Sequence, residues 1–275
     1  MNFLPSDSIN SFQTGRDKVD KRFYAMYRPG LRSKFACMAD LKRYLARYSD
    51  DTAAMLENAS WVLRRRFTHA YGAYTVRENW IAALCGRFIW KDLAAKVLPE
   101  DILAGESAAC SQVSIVFIEL CRSMGLPARK VALKGHFAAE VKYGGKWYYF
   151  DLDMKPDFCR IGGRKSLDAI LRQKQQYELY RENAFVDAAN VTRIFSSVQY
   201  GSEHEYIAAK AARFHIVSKW LSHWIWTLFF AAAVLFHIRS AGKPARLRVI
   251  VLFSARHTRG VIRLKRVSAL IRRSA

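Results

Sequence analysis

The chain has 275 residues, of which 51% are hydrophobic, and this composition excludes disorder over the whole length. Its formal net charge of +22 favours an anionic partner such as a lipid surface or a nucleic acid. The five cysteines are an odd number without CxxC spacing, so we expect no disulfide framework, no zinc site and no cofactor.

The first hundred residues are predicted to be mostly helical. Three segments have apolar residues at helical spacing, namely MADLKRYLARY at 38–48, DTAAMLENASWVLRRRFTHAYG at 51–72 and WIAALCGRFIWKDL at 80–93. We expect residues 1–98 to be a helical part that packs on the core that follows. Trp80 and Trp90 either line the entrance of a site or pack structurally, and packing is favoured.

The start of the chain and a short basic run bear on location and surface. MNFLPSDSINSFQTGRDKVDKR has no apolar core of the length that a secretion signal requires, so we expect the thiol-containing domain in a reducing cytosol. Arg64, Arg65 and Arg66 form a basic run, which usually marks a solvated helix face.

A helix with a cysteine in its first turn is predicted next. Its buried face carries Val113, Val116, Phe117, Leu120 and Met124. Ser107 is the predicted N-cap, and Gly125 followed by Pro127 is the predicted end. Cys110 then lies in the first turn, where free N–H groups and the helix dipole favour a thiolate. The alternative is that Cys110 is a small buried apolar residue.

A strand and a β-hairpin are predicted after this helix. ARKVALKG is the strand, and HFAAEVKY and KWYYFDLD are the two arms of the hairpin. The segment between the arms is Gly144-Gly145, a two-residue turn of the kind that hairpins prefer. Pairing Tyr143 with Lys146 across this turn fixes the register of the two arms.

This register puts a histidine and two aspartates on one face of the hairpin. Ala138 lies opposite Asp151, and His136 lies opposite Asp153. Since side chains alternate, one face carries His136, Ala138, Trp147, Asp151 and Asp153. A carboxylate diagonal to His136 can hold one ring nitrogen and leave the other directed at Cys110. The alternative for His136 alone is a half-buried histidine with satisfied hydrogen bonds.

The order and spacing of these motifs resemble the transglutaminase-like superfamily of papain-type cysteine enzymes. Those proteins carry a helix-borne Cys, a Gly-hydrophobic-Pro-Ala-Arg turn, a His-x-Trp-x-Glu-Val strand and a Trp-x-x-x-Asp segment. The corresponding segments here are Cys110, GLPAR at 125–129, HFAAEV at 136–141 and WYYFD at 147–151. The resemblance covers roughly residues 100–155.

The resemblance implies an α+β fold with a papain/transglutaminase-like core, in which the nucleophile helix packs on an antiparallel sheet. It also implies that Cys110 is the nucleophile, His136 the general base and acid, and Asp151 the residue that orients the histidine. Two departures matter. Ala109 stands where the family often has Gly or another small residue before the Cys, which is a mild change, and Ala138 stands where the family usually has Trp. An aromatic wall near the histidine is then missing, and the substrate class of better known members is not carried over.

The core is expected to span residues 99–200, and one more helix is predicted at 166–185. A membrane helix is predicted after the core. Residues 201–219 are predicted to be a connector. Positions 220–238 contain no Asp, Glu, Lys or Arg, and they approach the ~20 residues needed to cross a bilayer. Tryptophans at one end and basic residues at the other are typical of a membrane helix. They are Trp220, Trp224 and Trp226, and Arg239, Lys243, Arg246 and Arg248. The alternative is a buried core helix.

A basic tail is predicted at 239–275. Residues 220–275 contain eleven Lys or Arg and no Asp or Glu. Beside a membrane helix, anionic lipid headgroups are the expected partner of this charge, so we expect 220–275 to contact membrane lipids. Nucleic acid is the competing partner and is disfavoured.

The orientation of the membrane segment has two solutions. More basic residues follow the apolar stretch than precede it, so the tail is expected in the cytoplasm. A single crossing would then export the catalytic domain without a visible signal. In the favoured alternative the helix is re-entrant or interfacial, and the catalytic domain stays cytoplasmic.

Together these patterns predict a membrane-associated thiol enzyme. Cys110 attacks a carbonyl carbon, its backbone N–H helps to hold the oxyanion, and His136 protonates the leaving group. The thioester acyl-enzyme then passes its acyl group to an amine or to water, as in an acyltransferase, an amidase or a protease. The location suggests a lipid-linked substrate or an envelope glycan or peptide. The alternative is a catalytically silent binding module of the same fold, which the Ala138 departure favours.

Overall fold

The structure, a computed structural model, describes residues 27–181, 187–203 and 206–240. The predicted basic tail lies outside the described residues from residue 241 on, as does the start of the chain up to residue 26. Two units make up the chain, Met1–Thr227 and Leu228–Ala275. The first unit mixes helices with an antiparallel sheet, which confirms the predicted α+β fold.

Five helices among the described residues precede the helix that carries Cys110. They are α1 (Gly30–Lys34), α2 (Met38–Leu45, continued by a 3-10 turn at Ala46–Tyr48), α3 (Thr52–Arg66), α4 (Val76–Phe88, followed by a 3-10 turn at Lys91–Ala94) and α5 (Pro99–Ala104). The Asp51 side chain caps α3 by accepting from the backbone N–H of Ala54 at 2.9 Å. The helix predicted at 51–72 ends at Arg66, because the chain then becomes extended and enters strand β1 (Thr68–His69).

The basic run at the end of α3 is not a solvated face at every position. Arg66 is fully buried, and its guanidinium donates to the backbone oxygen of Phe35 at 3.0 Å and to that of Leu103. These two carbonyls compensate for part of the loss of hydration of the charge, since Nη1 of Arg66 is buried without an acceptor among the described residues. The prediction of a solvated face is therefore wrong for Arg66.

The helix that carries Cys110, α6, spans Cys110–Ser123. Its N-cap is Ala109 and not the predicted Ser107, because Ser107 belongs to strand β2 (Ser107–Ala108), which pairs in parallel with β1. The predicted end is confirmed, since α6 stops at Met124 and Gly125 follows with a φ of +80°.

The main sheet has the strand order β5-β4-β3-β6 and is antiparallel. Its strands are β3 (Ala128–Leu133), β4 (His136–Tyr143), β5 (Lys146–Phe150) and β6 (Val198–Tyr200). Tyr143 pairs with Lys146, so the predicted hairpin register is confirmed. Gly144 and Gly145 have φ values of +55° and +76°, as a two-residue hairpin turn requires. The ladder ends at the pair Ala139 and Phe150, so it stops one residue before Asp151.

Helices cover both faces of the sheet. On one face α6 packs against Ala139, Val141 and Phe150, and the ring centroids of Phe117 and Phe150 are 5.1 Å apart. On the other face lie α7 (Leu167–Arg172), α8 (Gln176–Leu179) and α9 (Ala188–Ile194). The helix predicted at 166–185 is two helices over its described part, because Lys174 has a φ of +54° between them.

The long helix α10 spans Ala209–Ser240, so it begins inside the segment predicted as a connector. Its first turns dock on the domain through Ser218 and Ser222, which exchange hydrogen bonds with the side chain of Asn79, a residue with non-helical backbone angles inside α4. The indole of Trp80 donates to the backbone oxygen of Ser222 at 3.2 Å and faces Trp226. Trp80 therefore has the packing role that the sequence favoured.

The same helix is long and apolar enough to cross a membrane. Its 31-residue stretch Ala209–Arg239 contains an apolar window of which 0% is buried. The core helix of a soluble protein also reaches such a length, but it is mostly buried. The exposure of this window is what distinguishes α10 from a buried helix among the described residues.

A buried carboxylate takes part in an ion pair within the sheet and also joins the sheet to α7, one of the helices on its second face. Glu140 is fully buried, and its Oε2 accepts from Nε and Nη2 of Arg129 at 2.9 and 2.7 Å. Its Oε1 accepts from the backbone N–H of Leu167, at the start of α7, at 2.7 Å. One carboxylate thus fixes both β3 and α7.

We predict that Glu140→Ala lowers the free energy of unfolding by about 3 kcal/mol, because it leaves a guanidinium partly buried without its partner. Denaturant unfolding measures the change. Glu178→Ala is the matched control, since the pair of Glu178 and Arg181 is half-exposed, and it should cost no more than about 0.5 kcal/mol. A loss at Glu140 as small as that of the control would contradict the prediction.

Candidate active site

Cys110 is the first residue of α6, and its side chain is half-buried. The loops around it are held by Gln112, whose Oε1 accepts from the N–H groups of Ala109 and Gly72 at 3.0 and 2.8 Å. Its Nε2 donates to the backbone oxygens of Gly72 and Lys96 at 2.7 and 2.8 Å. The buried Gln112 amide therefore fixes three chain segments at the helix end that carries the thiol.

The loop at Gly72 passes close to the chain that leads into α6. A Cβ built on Gly72 would lie 2.7 Å from the backbone oxygen of Ser107, which is shorter than real Cβ contacts. The glycine is thus needed for the close approach that brings its backbone within reach of Gln112. Neither Gly72 nor Gln112 was identified from the sequence.

His136 begins β4 and is 1% exposed. Its Nε2 lies 2.9 Å from Oδ2 of Asp151, so the hydrogen bond that the hairpin register suggested is present. The other ring nitrogen remains for the thiol. Cys110, His136 and Asp153 each offer a ligand or proton-accepting atom, and these atoms all lie within 4.8 Å of one another.

Asp151 is fully buried and is held by several donors. Its Oδ1 accepts from the backbone N–H groups of Asp153 and Met154 at 3.0 and 2.9 Å, and its Oδ2 accepts from the hydroxyl of Tyr180 at 2.6 Å. Burial acts to raise the pKa of this carboxyl, but His136, Tyr180 and the N–H of Asp153 together hold it below its usual value. Asp151 is therefore a charged carboxylate in the folded protein.

The pKa of His136 is shifted in the complementary direction. Burial acts to lower it, but the Asp151 carboxylate and the neighbouring Cys110 raise it well above its usual value. A cationic imidazole paired with an anionic carboxylate is thus the favoured state of this buried pair. An imidazolium beside a thiol stabilises the thiolate, which is the nucleophilic form of cysteine.

A second pair of a histidine and an aspartate lies near the thiol. Nδ1 of His69 in β1 is 2.5 Å from Oδ1 of Asp153. The sequence did not identify His69, because 51–72 was predicted to be helical throughout. Cys110, His136 and Asp153 are residue types that can bind a transition metal, but Nε2 of His136 is already bonded to Asp151, which leaves one ring nitrogen for an ion.

The family model of the transglutaminase-like superfamily matches residues 91–152 of this chain. This segment is a transglutaminase-like core. The match includes Cys110, His136 and Asp151, and it ends before Asp153. Comparisons with curated proteins and with solved structures gave no match. His69, Arg64 and Tyr180 therefore lie outside the matched segment.

The pKa of Asp151 makes a testable prediction about stability. Because this pKa is below its usual 3.8 in the folded protein, the carboxylate contributes stability above about pH 4 and loses it as the pH falls through the folded pKa. The wild type should therefore lose more stability between about pH 5 and pH 2 than Asp151→Asn, which is less stable at neutral pH. Denaturant unfolding of the detergent-solubilised chain at a series of pH values measures this difference.

Asp50→Asn is the control, because Asp50 is exposed and close to the start of α3. Its pH profile of stability should run parallel to that of the wild type. A parallel profile for Asp151→Asn would mean that the Asp151 carboxylate has no special role in acid stability.

Proposed function

We propose that this protein is a membrane-associated thiol enzyme that forms a thioester with an acyl donor at Cys110. The observation that carries the proposal is the buried pair of His136 and Asp151 next to a thiol at a helix N-terminus. The family match at 91–152 supports a cysteine-enzyme type of core. Burying the charged pair of His136 and Asp151 costs free energy, and activation of the neighbouring thiol is a functional reason for keeping such a pair.

The reaction follows from the positions of these groups. The Cys110 sulfur forms a bond to the carbonyl carbon, and the oxyanion develops beside the backbone N–H at the start of α6. His136 gives its proton to the departing amine or alcohol, and the carbon–heteroatom bond breaks. The acceptor, an amine or water, then loses a proton to His136 and attacks the thioester, which releases the thiolate. Asp151 stays ionised and keeps the ring oriented.

We expect an electrophilic acylating probe to label Cys110 before Cys159, although Cys159 is the more exposed of the two. Intact and peptide mass spectrometry measure the order of labelling and detect a trapped acyl-enzyme. His136→Ala should slow labelling of Cys110 at least about a hundredfold, and Asp151→Asn should slow it less, because the carboxylate orients the base but moves no proton. Cys110→Ala should abolish turnover in a protein that still folds.

Two outcomes would count against this enzyme. Turnover that survives in a folded Cys110→Ala protein would remove the thiol mechanism. Labelling in order of exposure alone, with Cys159 first, would support the catalytically silent binding module instead. A larger effect of Asp153→Asn than of Asp151→Asn would move the orienting role to the carboxylate that binds His69.

The membrane part of the proposal is supported by the end of α10. Its described residues after Thr227 expose large apolar side chains, each more than half exposed, namely Leu228, Phe229, Phe230, Leu235, Phe236 and Ile238. Removing such surface from water contributes roughly 25 cal/mol for each Å² buried, and salt does not screen this contribution. A lipid-linked acyl donor, or an envelope glycan or peptide, is the substrate that fits an enzyme anchored to the membrane by the end of α10, with its catalytic domain in the cytoplasm.

We predict that the full chain stays with membranes in high salt and in carbonate, whereas a chain ending at Thr227 is released and still reacts at Cys110. The release is measured by sedimentation, and the reaction is measured by labelling. A chain ending at Lys210 is a second comparison, which tests the docked part of α10. This chain also lacks Ser218 and Ser222, which form hydrogen bonds with Asn79, and Lys219, which pairs with Asp101. It should be less stable as well as soluble. Release of the full chain by salt alone would show that α10 is not inserted.

A further inference from the structure

A small cavity lies beside the thiol, and three of its lining side chains are ionisable. They are Arg64 from α3, His69 from β1 and Asp153. Ala108, which lies two residues before Cys110, also lines it, and the remaining lining residues are apolar. Asp153 connects this cavity to Cys110, because it belongs both to the cavity wall and to the three residues whose ligand atoms lie within 4.8 Å of one another, Cys110, His136 and Asp153.

Arg64 differs from its neighbours on α3 in having no partner. Arg66 donates to two backbone oxygens, and Arg65 lies over the ring of Trp61 at 4.5 Å. In the parts of the chain that the structure describes, Arg64 makes no hydrogen bond and no ion pair, and its Nε is buried without an acceptor. Arg64 is only partly exposed, and a buried donor without an acceptor such as its Nε is costly, so a ligand that accepts from this guanidinium would be stabilised here.

The charges that face Arg64 do not remove this need. Asp153 is engaged with His69 at 2.5 Å, and Asp151 is saturated by His136, Tyr180 and backbone N–H groups. Burial lowers the pKa of the Arg64 guanidinium, and Asp151 and Glu57 act on it only through the electrostatic field, Glu57 being engaged with Arg164. The fork of N–H donors on Arg64 therefore stays available.

We propose that Arg64 is the anion-binding residue of a substrate subsite, and that it binds a carboxylate on the acyl donor close to the carbonyl that Cys110 attacks. The cavity has room for about one water molecule, about 10 Å³, which favours a small group over a sugar or an aromatic ring. A planar carboxylate matches the guanidinium fork with two parallel hydrogen bonds. The inference rests on the proposed reaction at Cys110 and specifies its substrate class.

The test compares two alkylating reagents of nearly equal size, iodoacetate and iodoacetamide, on the full chain. In both reactions the Cys110 sulfur bonds to the methylene carbon, and iodide leaves with the bonding electrons. The rate constant for iodoacetate divided by that for iodoacetamide, both measured at Cys110, reports how strongly the site favours a carboxylate. This ratio should fall about fivefold in Arg64→Gln, with the iodoacetamide rate changed less than about twofold. Arg64→Lys should give an intermediate ratio.

Arg65→Gln is the matched control, because Arg65 is the next residue on the helix and lies over Trp61, outside the cavity lining. It should leave the ratio unchanged. Acetate, but not acetamide, should also slow iodoacetamide labelling of the wild type in a saturable way, and this measurement needs no variant to fold.

Three results would overturn the subsite. The ratio could be the same in Arg64→Gln as in the wild type. Both reagents could slow equally, which would mean that Arg64 balances the charge of Asp151. Acetate could fail to protect the thiol. A wild-type protein whose Cys110 does not react with iodoacetamide would be a separate result. It would count against the proposed reaction at Cys110.

Discussion

The imidazole of His136 and the carboxylate of Asp151 lie in the interior of the domain, where an unpaired charge is hard to tolerate. Each is the main compensation for the other, but the carboxylate needs more donors than one ring can supply. Tyr180 comes from the end of the second helical layer, and the N–H groups of Asp153 and Met154 come from the turn after β5. The second layer of helices therefore supports the charge as well as covering the sheet.

The hairpin and its charged pair could be predicted from the sequence because the determining signals are local. Two glycines of positive φ fix the turn, and the pairing of Tyr143 with Lys146 then sets the pairs as far as Ala139 and Phe150, one residue before Asp151. The buried face and the end of α6 could be predicted for a similar reason, since the apolar residues recur at helical spacing within one segment, whereas its N-cap could not, because Ser107 belongs to β2. The departure at Ala138 has a structural setting that the sequence did not reveal, because this residue is fully buried under α7–α9. The sheet face that the family's Trp would occupy is covered by helices here.

The residues that sequence reasoning missed depend on long-range contacts or on breaks in helices. His69 reaches the site because a two-residue strand pairs with Ser107–Ala108, and so short a ladder has no periodicity to detect. Tyr180 follows a helix break at Lys174 in a segment with an uninterrupted helical pattern. Arg64 belongs to a basic run whose members have three different environments, and charge alone does not distinguish them.

The close approach at Gly72 couples the positions of two chain segments that are distant in the sequence. A side chain at this position would push against the strand that leads into α6, and the displacement would reach the thiol through Gln112. The position of the Cys110 thiol therefore also depends on a loop outside the segment that matches the family model. Any change of backbone at residue 72 is in this sense a change at the thiol, although the two residues are far apart in the sequence.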